Sequence, residues 1–145
     1  MIADAGARWR LWKGDHRVVA PFWGPMLDCP DPLPLAEFYQ RVAGGELAVV
    51  NEAFVELRFD TFSLGFQRDL NYRAPTWPDP RVPQQTHLDF MAEDLDAEQA
   101  RVIAAGGTPT AFQPQPSVFR VFLDPAGHPF CLTTWRTPSG PPESR

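Results

Sequence analysis

The strongest constraint on the fold of this chain is a strand-and-helix pattern that occurs twice. Each copy is a short strand-like segment, residues 24–31 or 87–94, that ends on an aspartate suited to cap a helix. The two aspartates, Asp31 and Asp94, are 63 residues apart, and each predicted helix ends at a double glycine. A repeat of this kind predicts two supersecondary units, neither of which can bury the face of its own sheet alone.

The second copy alternates between apolar and polar side chains, and the alternation assigns them to two faces of a strand. The face toward the helix is predicted to hold Leu88, Phe90 and Ala92, and the opposite face His87, Asp89 and Met91. A titratable pair, His87 and Asp89, is therefore predicted to point away from the main core.

Three more strand-like segments follow each predicted helix, with connections too short for a helical crossover. Each unit is therefore predicted to be βαβββ, which gives an α+β fold. The segments are residues 47–50, 54–59 and 61–67 in the first unit, and 108–112, 118–123 and 130–135 in the second.

Breaks in the pattern predict the domain boundaries. Residues 69–84 contain four prolines and no hydrophobic period, which indicates a linker. The predicted organisation is an N-terminal arm at 1–19, a domain at 20–136 and a C-terminal tail at 137–145. Within the domain, module one spans 20–68 and module two spans 85–136.

Composition limits the partners and the compartment. A chain of 145 residues with 43% hydrophobic residues suits one domain that buries roughly two thirds of its unfolded surface. The net charge of −5 and the lack of a basic face argue against a nucleic-acid partner. The sequence has no long apolar run, so a membrane partner is not expected either. The two cysteines, Cys29 and Cys131, do not form a disulfide framework, so a reducing cytoplasm is expected.

Several short motifs, in this order and at this spacing, resemble the vicinal oxygen chelate superfamily of glyoxalase and bleomycin-resistance-like proteins. The motifs are Asp31-Pro32 with Phe38-Tyr39, Leu64-Gly65-Phe66-Gln67, His87-Leu88-Asp89 with Asp94-Leu95, and the segment 124–132. The resemblance covers about residues 20–136 and implies two βαβββ modules, side by side, whose sheets curl to enclose a cup.

The resemblance also implies where a metal site would lie. In metal-using relatives the ligands come from the start of each module's first strand and from each module's last strand. The corresponding residues here are Gly24, Ser63, His87 and Cys131. Only His87 matches, so no ordinary divalent metal site and no cofactor are expected. The alternative is zinc held by His87, Cys131 and a third group such as Asp89, since zinc accepts all three ligand types.

The residues predicted to face the cup mix a few polar groups with thioether and aromatic surface, which suits a small organic ligand. Besides Gly24 and Gly65 they are Met26, Asp28, Ser63, Gln67, His87, Asp89, Met91, Cys131, Thr133 and Trp135.

Two functions remain open from the sequence. The first is a binding protein for a small organic molecule, without an ordinary metal. The second is an enzyme of the superfamily, a lyase, isomerase or dioxygenase, in which His87 is a metal ligand or a general base oriented by Asp89 or Gln67. His128 is assigned only a turn role. The resemblance also implies a homodimer, with the N-terminal arm as a candidate contact.

Overall fold

The structure, a computed structural model, describes residues 20–134. The predicted arm and tail, together with Trp135, lie outside the described residues. The elements are β1 (Met26–Cys29), α1 (Pro32–Ala43), β2 (Glu46–Val50), β3 (Phe54–Arg58), β4 (Ser63–Arg68), β5 (Leu88–Met91), α2 (Leu95–Ala105), β6 (Thr108–Pro109), β7 (Phe119–Leu123) and β8 (Pro129–Thr133).

These elements form two four-stranded mixed sheets with the same internal order. The first sheet has the order β1-β4-β3-β2 and the second β5-β8-β7-β6. The first strand of each module pairs in parallel with the last, and the other neighbours are antiparallel. The predicted repeat and the α+β class are confirmed. Within residues 20–134 no strand pairing joins the two sheets, so they do not close into one.

The two helices begin differently although an aspartate precedes each of them. The Asp94 side chain accepts hydrogen bonds from the backbone N–H groups of Asp96 and Ala97, as an N-cap does. Asp31 makes no such side-chain bond. Pro32 follows it at the first helical position, where a missing N–H costs nothing and the fixed φ favours the helix.

An aromatic core lies between the helices and the sheets and joins the two modules. Phe130 is fully buried, and its ring contacts Phe38 and Tyr39 of module one at centroid distances of 5.7 and 5.9 Å. It also contacts Phe90 and Phe122 of module two, at 5.9 and 5.6 Å. Since one side chain packs against both modules, the core is shared rather than divided between them.

Some strand boundaries differ from the prediction. The first strand begins only at Met26, although strand character was expected from further upstream, and β6 is two residues long rather than five. Thr110 still donates its backbone N–H to the Val121 carbonyl oxygen at 3.1 Å, but the Val121 N–H bonds the Gln113 side chain at 2.8 Å instead of a backbone carbonyl. Phe112 then packs on Trp77 of the linker at 5.6 Å. Neither helix within residues 20–134 has the length and apolar character needed to cross a bilayer.

Candidate functional site

A cavity of about 360 Å³ lies where the edge strand of one sheet faces the edge strand of the other. Strand β1 forms one wall, the residues leading into β5 form the other, and the linker covers them. Apolar groups such as Met26, Leu27, Val82 and Leu88 make up much of the lining. A volume of this size lies at the lower end of the range found for small-molecule sites.

Polar groups from both modules reach this cavity. His128 comes from the turn before β8, and its Nε2 lies 2.7 Å from the backbone carbonyl oxygen of Asp28 on β1. A carbonyl oxygen only accepts, so the Nε2 of His128 carries the proton. The His128 ring also lies 5.1 Å from the ring of Tyr72, which belongs to the linker. Arg73 and His87 also line the cavity, together with the carboxylates of Asp28 and Asp69.

The buried carboxylate of Asp124 holds the turn that carries His128. Asp124 accepts a hydrogen bond of 2.8 Å from the Tyr39 hydroxyl, and its other oxygen accepts from the backbone N–H groups of Ala126 and His128. Burial raises the pKa of Asp124 above its ordinary value. The bond from Tyr39 also joins the helix of module one to the last turn of module two.

The hydroxyl of Tyr72 is buried and has no hydrogen-bond partner within the part of the chain that the structure describes. Burial, with the nearby negative charge of Asp124, raises the pKa of this phenol well above its usual range. Tyr72 therefore stays a neutral donor. A buried hydroxyl without a partner is uncommon, and a bound molecule is one group that would satisfy it.

A second feature, next to the cavity, is a cluster of three side chains on module two. Asp89 and Cys131 are register partners across the parallel pair β5 and β8, so their side chains lie on the same face. His87 precedes Asp89 by two residues, and its Nε2 lies 3.4 Å from an Asp89 carboxylate oxygen. One ligand atom from each of the three residues lies within 4.8 Å of the others.

The cysteine of this cluster is protonated in the metal-free protein. Burial raises the pKa of Cys131 to about 12, and the negative charge and hydrogen bond of Asp89 act in the same direction. Cys131 is buried, whereas His87 and Asp89 are exposed to solvent. The cluster therefore joins a protected thiol to two groups that solvent reaches.

A model of the glyoxalase-like domain matches residues 24–133, which is most of the chain. The chain belongs to the glyoxalase-like domain family. No curated protein matches the sequence significantly.

Solved structures of this family share the fold. A possible glyoxalase from Bacillus cereus is 16% identical with a TM-score of 0.59, over 80% of this chain and 99% of that one. A fosfomycin resistance protein from Mesorhizobium loti is 13% identical with a TM-score of 0.59, over 84% and 94%. A glyoxalase/bleomycin resistance protein/dioxygenase family enzyme from Burkholderia phytofirmans is 18% identical with a TM-score of 0.57, over 74% and 92%. Identities this low establish the fold alone.

The metal ligand set implied by the superfamily does not fit module one of this glyoxalase-like protein. At Gly24 the backbone φ is +151°, and an added Cβ would lie 1.5 Å from the carbonyl oxygen of Ser63. Ser63 is fully buried, and its hydroxyl donates a hydrogen bond of 2.7 Å to Glu56. Glu56 also binds Arg58 at 3.2 Å. At the two ligand positions of module one, Gly24 therefore has no side chain, and Ser63 has a neutral hydroxyl that is already hydrogen-bonded.

The strand register refines the correspondence between the modules. Asp89 is opposite Cys131 in module two, and Met26 is opposite Gly65 in module one. On the 63-residue offset of the two helix caps, Met26 corresponds to Asp89. The counterpart of Cys131 in module one is therefore Gly65, whereas the alignment of strands in the sequence pointed to Ser63.

The structure separates the predicted ligand-binding residues into groups. Met26, Asp28 and His87 line the cavity, whereas Asp89 and Cys131 join His87 in the cluster. The remaining described positions lie elsewhere: Ser63 is buried within sheet one, Gln67 and Met91 are exposed, and Thr133 is half-buried. Trp135 is outside the described residues.

Sequence reasoning gave no site role to Tyr39, Asp124 or His128. His128 and Asp28 are 100 residues apart, and no local pattern indicates a hydrogen bond between such positions. Tyr39 looks like an ordinary core residue of an amphipathic helix. The linker did give a signal, because long proline-containing connections often carry binding residues, and it makes Tyr72 and Trp77 candidates to cover a ligand or to pack over the sheet edge.

Proposed function

We propose that this glyoxalase-like protein binds a small organic molecule in the cavity between its modules. The observation that carries the proposal is the largely apolar cavity of about 360 Å³, which both modules and the linker line. Tyr72 is one of the lining residues, and its buried hydroxyl lacks a partner among the described residues. Apolar walls with a few convergent polar groups are the usual composition of small-molecule sites.

The lining defines the chemistry of the ligand. Apolar side chains and prolines from both modules favour an uncharged body of modest size. Tyr72 would donate to an acceptor on the ligand, and Arg73 would favour a partial negative charge near the linker, whereas the carboxylates of Asp28 and Asp69 disfavour a full one. We therefore expect a molecule with an apolar body and one or two oxygen acceptors.

The family supports this proposal in general terms. One structural neighbour is a fosfomycin resistance protein, and others are described as glyoxalase and bleomycin resistance proteins. These descriptions apply to those proteins. At 13 to 22% identity they support a shared frame for this chain and leave the ligand to be identified from its own residues.

Catalysis is a second candidate, because His87 belongs to both the cavity and the cluster. The 3.4 Å contact between His87 and Asp89 is the observation that favours it. The carboxylate would orient the imidazole, and His87 would then act as a general base toward a molecule in the cavity. Conversion of a bound molecule over time by wild type, lost in His87→Ala while binding persists, would support this role. Binding without conversion would exclude that role for the molecule tested.

We further propose that the protein is a cytoplasmic homodimer. Cys29 and Cys131 are both free, which suits a reducing compartment. Met26, Val50 and Met91 are exposed apolar side chains on the sheets and are candidate contacts for a second copy. Light scattering coupled to size-exclusion chromatography measures the mass directly. A monomer at micromolar concentration would contradict the dimer.

A fragment screen by thermal shift tests the binding proposal. Val82 lines the cavity, so Val82→Phe should fill part of it, whereas Val118 is a surface valine outside the cavity and Val118→Phe is the matched control. At least one fragment should raise the melting temperature of wild type and Val118→Phe but not that of Val82→Phe. A screen without such a fragment, or hits that Val82→Phe leaves unchanged, would contradict the cavity as the binding site.

A further inference from the structure

We infer that His87, Asp89 and Cys131 form a zinc-binding site contained within module two. The ligand set differs from the one implied by the superfamily, since it takes nothing from module one and replaces a carboxylate by a thiol. The zinc site shares His87 with the cavity, whereas Cys131 and Asp89 do not line the cavity.

Strand geometry brings the three side chains to one place. His87 and Asp89 are two residues apart along the chain, so both project from the same face, and Cys131 is the register partner of Asp89 on β8. The β pairing fixes the backbone at Asp89 and Cys131, and His87 lies one residue before β5 begins. Side-chain rotation is therefore enough to adjust two of the three ligands.

The distances suit a small ion. Zinc bonds of about 2.0 to 2.3 Å in a tetrahedron place ligand atoms roughly 3.3 to 3.8 Å apart. The His87 and Asp89 atoms are already 3.4 Å apart, and all three ligand atoms lie within 4.8 Å of one another. A shift of about 1 Å at the longest separation, within reach of side-chain rotation, completes the arrangement.

The ligand types select the metal. Thiolate and imidazole favour zinc, whereas Mg²⁺ and Mn²⁺ prefer oxygen ligands. On binding, the Cys131 thiol loses its proton to solvent and the sulfur bonds to the metal. Exposure of His87 and Asp89 gives the ion a path from solvent. Three protein ligands leave a fourth position for water or another small ligand, as in catalytic rather than structural zinc sites.

The test is a titration of the full chain, freed of metal by a chelator, with Zn²⁺ in competition with a chromogenic chelator. One equivalent of Zn²⁺ should bind. Cys131→Ala and His87→Ala should each weaken binding by about 100-fold or more, because loss of an outer hydrogen-bonding partner alone costs 10 to 100-fold. Cys29→Ala is the matched control for the thiol, and its Zn²⁺ affinity should stay within about threefold of wild type.

A spectroscopic measurement on the wild type keeps the inference testable if a variant does not fold. Co²⁺ in place of zinc should give the near-ultraviolet charge-transfer band of a thiolate–cobalt bond, and Mg²⁺ should not displace it. Cys131 does not line the cavity, so Cys131→Ala should lose Zn²⁺ binding and keep the wild-type response to the cavity fragment, which separates failure of the zinc site from failure of the cavity proposal. Absence of stoichiometric Zn²⁺ binding, absence of the thiolate band, or equal affinity in Cys131→Ala and Cys29→Ala would each overturn the inference.

Discussion

Module one places Met26 opposite Gly65 at the position where module two places Asp89 opposite Cys131. The Met26 sulfur occupies the space beside Gly65, at 2.5 Å from where an added Cβ would lie. The same pair of strands therefore presents a thioether in one module and two metal-binding groups in the other. The two modules therefore share a strand arrangement, whereas the side chains at corresponding positions differ in chemistry.

The polar groups of the two open faces are also used differently. In module one, Glu56 is buried and is bound by Ser63 and Arg58, so its charge is compensated within the sheet. In module two, His87 and Asp89 remain exposed beside the buried Cys131. Module one pairs these polar groups within its sheet, whereas module two leaves His87 and Asp89 open to solvent. The zinc site that we propose accordingly lies in module two.

The core shared by the modules should make them unfold as one unit despite this contrast. Phe130→Ala removes a buried ring that contacts both modules, and the expected loss is about 3 to 5 kcal/mol in the free energy of unfolding. Leu70→Ala, at a position that is 83% exposed, should change stability by less than about 0.5 kcal/mol. Urea unfolding followed by circular dichroism measures both. Two separate transitions in wild type would show that the modules are independent.

Gly24 explains why module one cannot offer the histidine of module two. Gly24→Ala should destabilise the fold by about 1 to 3 kcal/mol, because its Cβ would meet the carbonyl oxygen of Ser63. Gly44→Ala is the matched control: Gly44 also has positive φ, at +78°, but nothing lies within 4 Å of its added Cβ. The difference between the two variants in urea measures the clash alone. Equal costs would mean that close approach at Gly24 is not the constraint.

Removing the hydroxyls of Tyr39 and Tyr72 should separate a structural from a binding role at the junction of the modules. Tyr39→Phe leaves one oxygen of buried Asp124 without its partner and should cost about 1 to 2 kcal/mol. Tyr72→Phe removes a hydroxyl that has no partner among the described residues, so stability should stay the same or rise slightly. Thermal and urea unfolding provide both values. A large loss in Tyr72→Phe would reveal a partner for that hydroxyl.

The smallest expected effect is a change in pH dependence at Asp124, on the module-two side of the junction. Burial raises its folded pKa above the ordinary value of 3.8. The stability that Asp124 contributes is therefore fully present below its unfolded pKa and is lost as pH rises through the folded pKa. Asp124→Asn lacks this loss, so its stability relative to wild type should improve as pH rises above the unfolded pKa of about 4. Parallel pH profiles of the two proteins would contradict the raised pKa.

The sequence predicted the frame of the fold well because its signals are local and occur twice. The alternating segment at 87–91, the cap at Asp94 and the glycines after each helix fix strands, helices and their order. The same alternation correctly placed Phe90 toward the core. Local patterns of this kind transfer to structure because neighbours along the chain determine them.

The site was only partly predictable because its parts meet through the packing of the modules. The zinc alternative came from the ligand positions that the superfamily resemblance implies and from the residue types found there, and the structure brings its three members together. The cavity did not follow, since its walls come from two edge strands and from the linker. The bond between His128 and the Asp28 carbonyl depends on how the modules dock, which no hydrophobic period encodes.

Backbone amide spectra of the ¹⁵N-labelled protein, recorded during titration with the strongest fragment, test the central claim most directly. The account predicts that the largest shift changes fall on residues that line the cavity from both modules and the linker, such as Leu27, Tyr72 and His128. Tyr72→Phe should weaken the binding of that fragment without unfolding the protein. Shift changes confined to the open face of sheet one, around Val49 and Arg58, would contradict the account.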